Sequence, residues 1–178
     1  MLATLIAHPL TPGAALARIE VNVARPSEHE LALTYSVTGR IADLRLPPPT
    51  APTRADDLWR TTCFEAFLRA PESDAYLELN FAPSGQWAAY RFSGYRAGMS
   101  QALDVVRPVI ETRTNKDRFE LSARVDLGGV MPADLALSAV IEEISGVKSY
   151  WALAHSEGKP DFHHSAGFVL NLAHPERS

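Results

Sequence analysis

Short runs of alternating apolar and polar residues follow one another along almost the whole sequence. Turn residues separate them, and no run carries a helical stripe of useful length. This pattern restricts the chain to all-β architectures. Tyr76-Leu77-Glu78-Leu79-Asn80-Phe81 is the clearest case. Its spacing sends Leu77, Leu79 and Phe81 to a core and Tyr76, Glu78 and Asn80 to the opposite face. Pro83-Ser84-Gly85 then turns the chain, and Trp87 to Phe92 reads as the hairpin partner, with Arg91 sharing the parity of Trp87 and opposing Tyr90 and Phe92.

Further strands are expected at the N-terminus, over Arg18–Val23, Leu31–Val37 and Ile41–Leu46, and over Val105–Thr112, where Pro108 implies an edge. Others follow over Phe119–Val125, Leu135–Ile144, Val147–His155 and Gly167–Leu172. The three runs between Arg18 and Leu46 read as an antiparallel meander. Pro47-Pro48-Pro49 and Pro52 form an extended connection, because proline lacks the donor a sheet interior needs. About ten short strands predict a two-sheet antiparallel β-sandwich. The first 46 residues are too few for a separate core, so one domain over residues 1–178 is expected, with a loose tail from Ala173.

Leu58 to Leu68 is rich in apolar, aromatic and β-branched residues and lacks Gly and Pro, so it reads as one strand. On it Trp59 and Glu65 would share a face, together with Thr61, Cys63 and Phe67. A flat ring beside a carboxylate suits a ligand with an apolar face and a rim of hydroxyls, as a sugar has. A strand Trp is also a common core residue, and a strand Glu a common rim residue. Glu65, Glu78, Asn80 and Arg91 form a candidate polar face, with Trp59 and Trp151 as candidate platforms. Carboxylates and amides bond vicinal hydroxyls in pairs, Arg adds a fork of donors, and rings cover sugar C–H faces.

Ala154 to His164 holds three His and two acids. Its spacing matches no zinc motif, so the expectation is a loop closing over the sandwich edge with His163 turned inward, and no metal. The formal charge of −4 argues against a broad nucleic-acid surface. Cys63 is the only cysteine, so no intrachain disulfide forms, and its mid-strand place is a poor setting for a reactive thiolate. Met1 to Pro9 lacks a basic n-region and reads as a strand. No apolar run is long enough to cross a bilayer. The expectation is a cytoplasmic protein with no membrane partner. No G-x-S-x-G elbow, Walker loop or G-x-G-x-x-G occurs. A glycosidase would need two carboxyls such as Glu65 and Glu78 at a set distance, which sequence does not measure.

The runs Leu58-Trp59-Arg60 to Leu68 and Tyr76 to Trp87, then Tyr150-Trp151 followed by Pro160-Asp161-Phe162-His163, resemble the DOMON-like superfamily. Within it the sequence is most similar to the family 9 carbohydrate-binding modules and their bacterial DOMON-like relatives. The resemblance spans roughly residues 55–172. It implies a jelly-roll sandwich with a ligand site on one sheet, where two Trp rings sandwich a terminal sugar. Trp59 matches the first ring, Glu65 the acid six residues on, and Trp151 the second ring. Asn80 and Arg91 match the polar set loosely, and no calcium ligands carry over. Other DOMON-like members bind haem through Met and His, and Met99, Met131 and several His are present. The readings left standing are a non-catalytic domain binding a small ligand such as a sugar, a haem or electron-transfer domain, a glycoside-acting enzyme, and an interaction domain whose Trp residues are all core.

Overall fold

The computed structural model describes residues 1–129 and 134–172; Met131 and the tail from Ala173 lie outside them. The described strands are β1 (Leu2–Ala7), β2 (Leu16–Ala24), β3 (Glu30–Gly39), β4 (Cys63–Arg69), β5 (Tyr76–Phe81) and β6 (Trp87–Phe92). They continue as β7 (Ser100–Gln101), β8 (Val109–Thr114), β9 (Arg118–Asp126), β10 (Asp134–Glu142), β11 (Lys148–Ala152) and β12 (Leu170–Asn171). All pair antiparallel, in the order β7-β6-β5-β4-β10-β11-β1-β2-β3-β9-β8, with β12 against β10.

The hinge of this path is β1. Leu2 to Leu5 pair with β2, whereas Ile6 and Ala7 pair with β11. One strand thus feeds both layers, and the sheet curls into the expected two-layer antiparallel sandwich. The β1-β2-β3-β9-β8 layer shows ordinary alternation: Leu31, Leu33, Tyr35 and Val37 are buried, while their neighbours are partly exposed. In the other layer, every residue of β5 and all but Arg69 of β4 are buried. A strand buried on both sides needs cover on both sides. Phe64, Ala66, Leu68, Leu77, Leu79 and Phe81 pack into the core between layers. Cys63, Phe67, Tyr76, Tyr90 and Phe92 form a second apolar cluster on the outer face, under Ala55, Leu58, Phe162 and Phe168.

The layers are also joined by a polar contact. The Tyr35 hydroxyl crosses the core and donates to the Glu65 carbonyl at 2.7 Å, fully buried. Its ring packs on Phe64, which stacks on Phe119 of β9.

Three expected strands differ. Ile41–Asp43 is a 3₁₀ turn, so the meander's third position beside β3 goes to β9. The turn buries only Ile41. Leu58–Arg60 is likewise a 3₁₀ turn, and the strand starts only at Cys63. Asp57, left-handed at φ 60°, caps the start of this turn, so the run opens on a turn rather than in extended conformation. The closing strand shrinks to Leu170–Asn171 after a 3₁₀ turn at Ser165–Gly167, capped by the His164 side chain accepting from the Ala166 N–H. The loop over Gly94–Gln101 contains the two-residue β7.

Tyr35→Phe removes the buried cross-layer hydrogen bond while keeping the ring. It should cost about 1–2 kcal/mol in chemical denaturation, because the Glu65 carbonyl loses a donor that water cannot replace.

Candidate functional site

The outer face of the β7-to-β11 layer is floored by side chains one residue out of phase with the core. On β4 these are Cys63, Glu65 and Phe67; on β5, Tyr76, Glu78 and Asn80; on β6, Ala88, Tyr90 and Phe92. Val140 and Tyr150 are direct cross-strand partners on β10 and β11. Loop residues 53–60 and 156–168 roof this face and leave a cavity of about 760 Å³. Glu65, Glu78, Tyr90, Val140 and Tyr150 lie on its floor, with Trp59, Arg96, Met99, Phe162 and His163 among its walls.

Two walls depend on strained backbone. Asp57 (φ 60°) and Arg96 (φ 52°) are left-handed without being glycine, and both line the cavity. Such residues persist only where surroundings over-determine them. Arg96 is held by its backbone N–H donating to the Tyr76 hydroxyl at 3.2 Å and by its guanidinium on Asp161 at 2.7 Å. Tyr95, its neighbour, donates to the same Asp161 carboxylate. Asp57 receives Arg60 at 3.3 Å, and buried Leu58 anchors the turn, which swings Trp59 outward.

The floor carries two buried acids. Glu65 is 3% exposed and Glu78 6%. Register sets Glu65 opposite Asn80 and Phe67 opposite Glu78, so the carboxylates are diagonal neighbours on adjoining strands. Asn80 donates to Glu78 Oε1 at 2.7 Å, and Ser138 Oγ donates to Glu65 Oε2 at 3.4 Å. Burial pushes the Glu65 carboxyl well above the ordinary range, and the nearby Glu78 charge adds to it. Burial also raises Glu78, against the opposing effects of the Asn80 bond and the Arg96 charge.

His163 packs against Phe67, Tyr76 and Phe92 on the face of the sheet. Its Nδ1 lies 2.7 Å from the Tyr76 hydroxyl, and its Nε2 3.9 Å from Glu78 Oε2. Burial, then the Arg96 charge, lowers the imidazole pKa to about 4, so His163 is neutral at neutral pH and its contact with Glu78 is no ion pair. Tyr90 donates to Asp56 at 2.5 Å, and burial followed by that carboxylate raises its pKa.

The structure brings Trp59, Glu65, Glu78 and His163 to one cavity, but not all seven candidates. Trp59 arrives there from the turn rather than along the strand of Glu65. Asn80 lies at 1% exposure beneath Glu78 and does not line the cavity. Arg91 has the core-side parity of Trp87 and Ala89, reaches the sheet edge and pairs with Asp104. Trp151, expected as the second platform, is 6% exposed in the core, opposite Ala139, with Nε1 donating to Ser149 Oγ at 2.9 Å. Its neighbour Tyr150 takes the cavity side instead. Tyr90, Phe92, Tyr150, Phe162 and Arg96 were not among the candidates. The parity of Tyr90 with Glu78 was a readable signal for the first; the roof loop's Phe162 had none.

No protein-family model matches the sequence, and no curated protein matches it. Among solved structures, a "putative carbohydrate-binding protein" from Bacteroides uniformis superposes with a TM-score of 0.64 at 16% identity, over 94% of this chain and 84% of that one. A family 9 carbohydrate-binding module from Caldicellulosiruptor kristjanssonii, in complex with cellotriose, gives a TM-score of 0.46 at 12% identity, covering 86% of this chain and 74% of that one. A family 9 module from the same organism, in complex with glucose, gives 0.46 at 11% identity, over 86% of this chain and 75% of that one. At such identities the first likeness establishes a shared fold and nothing finer: this chain has the β-sandwich of that Bacteroides protein.

The two tryptophans predict opposite mutant behaviour. Trp151→Ala should cost about 3–5 kcal/mol of unfolding free energy. Trp59→Ala, 50% exposed, should cost no more than about 1 kcal/mol. Denaturant titration of both variants checks this. Glu65 makes a pH prediction. Its raised pKa means the folded state keeps a proton that the unfolded chain loses above the ordinary value of about 4.3. Stability from this group is therefore full at lower pH and declines as pH rises. Glu65→Gln cannot titrate, so its Tm relative to the unsubstituted protein should climb as pH rises above the ordinary carboxylate value of about 4.3.

Proposed function

We propose that the chain binds a carbohydrate in the cavity on the outer face of the β7-to-β11 layer. The observation that carries this reading is the pairing of aromatic walls with buried polar groups in one cavity of sugar dimensions: Trp59, Tyr90, Tyr150 and Phe162 around Glu65 and Glu78. Rings of this kind cover the C–H faces of a pyranose at small entropic cost, while carboxyls exchange hydrogen bonds with its hydroxyls. About 760 Å³ accommodates one or two sugar residues and lies within the range of small-molecule sites. The shared fold with a Bacteroides protein described as carbohydrate-binding supports the same reading.

Trp59 supplies the test. Trp87 and Trp151 are buried, so a ligand-induced change in tryptophan emission reports on Trp59. Titration with glucose, galactose, mannose, glucosamine and cellobiose should give a saturable change with at least one sugar. Trp59→Ala should lower the affinity at least tenfold by calorimetry, and Arg91→Gln, outside the cavity, should leave it unchanged. Haemin serves as the contrasting probe, since Met99 and His163 also line the cavity. A Soret band that shifts on stoichiometric haemin binding, with no response to any sugar, would overturn the carbohydrate reading.

A further inference from the structure

We propose that the bound sugar carries a protonated amine, seated over Glu65 and Glu78, so that the ligand class is an amino sugar rather than a neutral one. This rests on the carbohydrate reading above and narrows it. The starting point is what the two carboxylates lack. Among the described residues neither forms an ion pair with an Arg or Lys; His163 lies 3.9 Å from Glu78, and the Arg96 charge acts on Glu78 without contact. Buried carboxylates are ordinarily paired; without an opposite charge this pair answers burial and mutual repulsion by holding protons more tightly. Glu65 accepts one long bond, from Ser138 to Oε2, and its Oε1 has no protein partner. Glu78 is held at Oε1 by Asn80, which leaves Oε2 toward His163 and the cavity. The floor thus presents carboxyl oxygens held from behind and open toward the cavity.

A neutral sugar does not explain this arrangement. Amide side chains would meet its hydroxyls equally well with no charge to bury and no mutual repulsion. An ammonium group between the two acids favours their ionised forms and offsets both costs, because each carboxylate gains an opposite charge at close range. The walls agree with this. Trp59, Tyr90, Phe92, Tyr150 and Phe162 line the cavity, and an aromatic face attracts a cation and repels an anion. Asp56 and Asp57 add two further acids to the lining. Against these stand Arg96, already committed to Asp161, and Lys159 on the roof loop.

The test compares each hexosamine with two relatives that lack its charge. D-glucosamine, D-galactosamine and D-mannosamine are titrated calorimetrically at pH 6, alongside the parent hexoses and the N-acetyl derivatives, using the unsubstituted protein. At least one hexosamine should bind ten times or more tighter than both of its uncharged counterparts, and raising the salt concentration should shrink that ratio. Glu65→Gln with Glu78→Gln should bring the amine and its parent hexose to within about twofold. Equal affinity for hexosamine and hexose in the unsubstituted protein would overturn the inference and leave the carbohydrate reading standing. Tighter binding of the N-acetyl sugar would overturn it in the same way. Failure of every sugar, charged and uncharged, would sink both. The comparison within the unsubstituted protein requires no variant to fold.

Discussion

The structure depends on β4 being buried on both faces. Phe64, Ala66 and Leu68 enter the core between the layers, while Cys63, Glu65 and Phe67 lie on the outer face, where Glu65 reaches the cavity floor. A slip of one residue would drive Glu65 into the core and Phe64 into the cavity, an exchange neither environment tolerates. Register is held from both neighbours, β5 and β10, and from across the sandwich by Tyr35, whose hydroxyl reaches the Glu65 carbonyl. The residue that binds the two layers through its backbone therefore supplies the site's most buried acid through its side chain. Stability and site geometry are set at the same point.

The roof follows from the same constraint. An outer sheet face carrying Phe67, Tyr76, Tyr90 and Phe92 must be covered, and two irregular segments cover it. One brings Leu58 and Trp59, the other Phe162 and His163. Their fit is incomplete because acids interrupt the apolar floor, and the space left over is the cavity. Burial that makes this face cohere also raises Glu65 and Glu78 and lowers His163, so the neighbourhood carries less charge at neutral pH than its composition suggests. The Arg96 backbone and the Tyr76 hydroxyl orient the imidazole, a polar chain laid over an aromatic bed.

Strand alternation was legible wherever one face of a segment is wet, as in β2, β3 and β9. It was also legible in β5, where Glu78 and Asn80 mark the side away from the core. It misled at Leu58 to Leu68, because β-prone composition does not reveal the 3₁₀ turn at Leu58–Arg60 that follows a left-handed Asp57. It misled again at Trp151. Tyr150 and Trp151 are adjacent large aromatics on one strand, and sequence leaves open which of them faces the core; register against Val140 and Ala139 decides.

The sequence by itself determined an antiparallel all-β chain, the sidedness of β5, and the presence of Trp59, Glu65, Glu78 and His163 as the residues able to build a polar aromatic site. It did so because a period of two is a local property of the backbone. Only the tertiary structure decided that these four share one cavity, that Trp151 and Arg91 do not join them, and that Tyr90, Tyr150 and Phe162 do. Those assignments depend on cross-strand register and on how two roof loops settle over a sheet face, contacts between residues up to about a hundred positions apart, which no local pattern encodes.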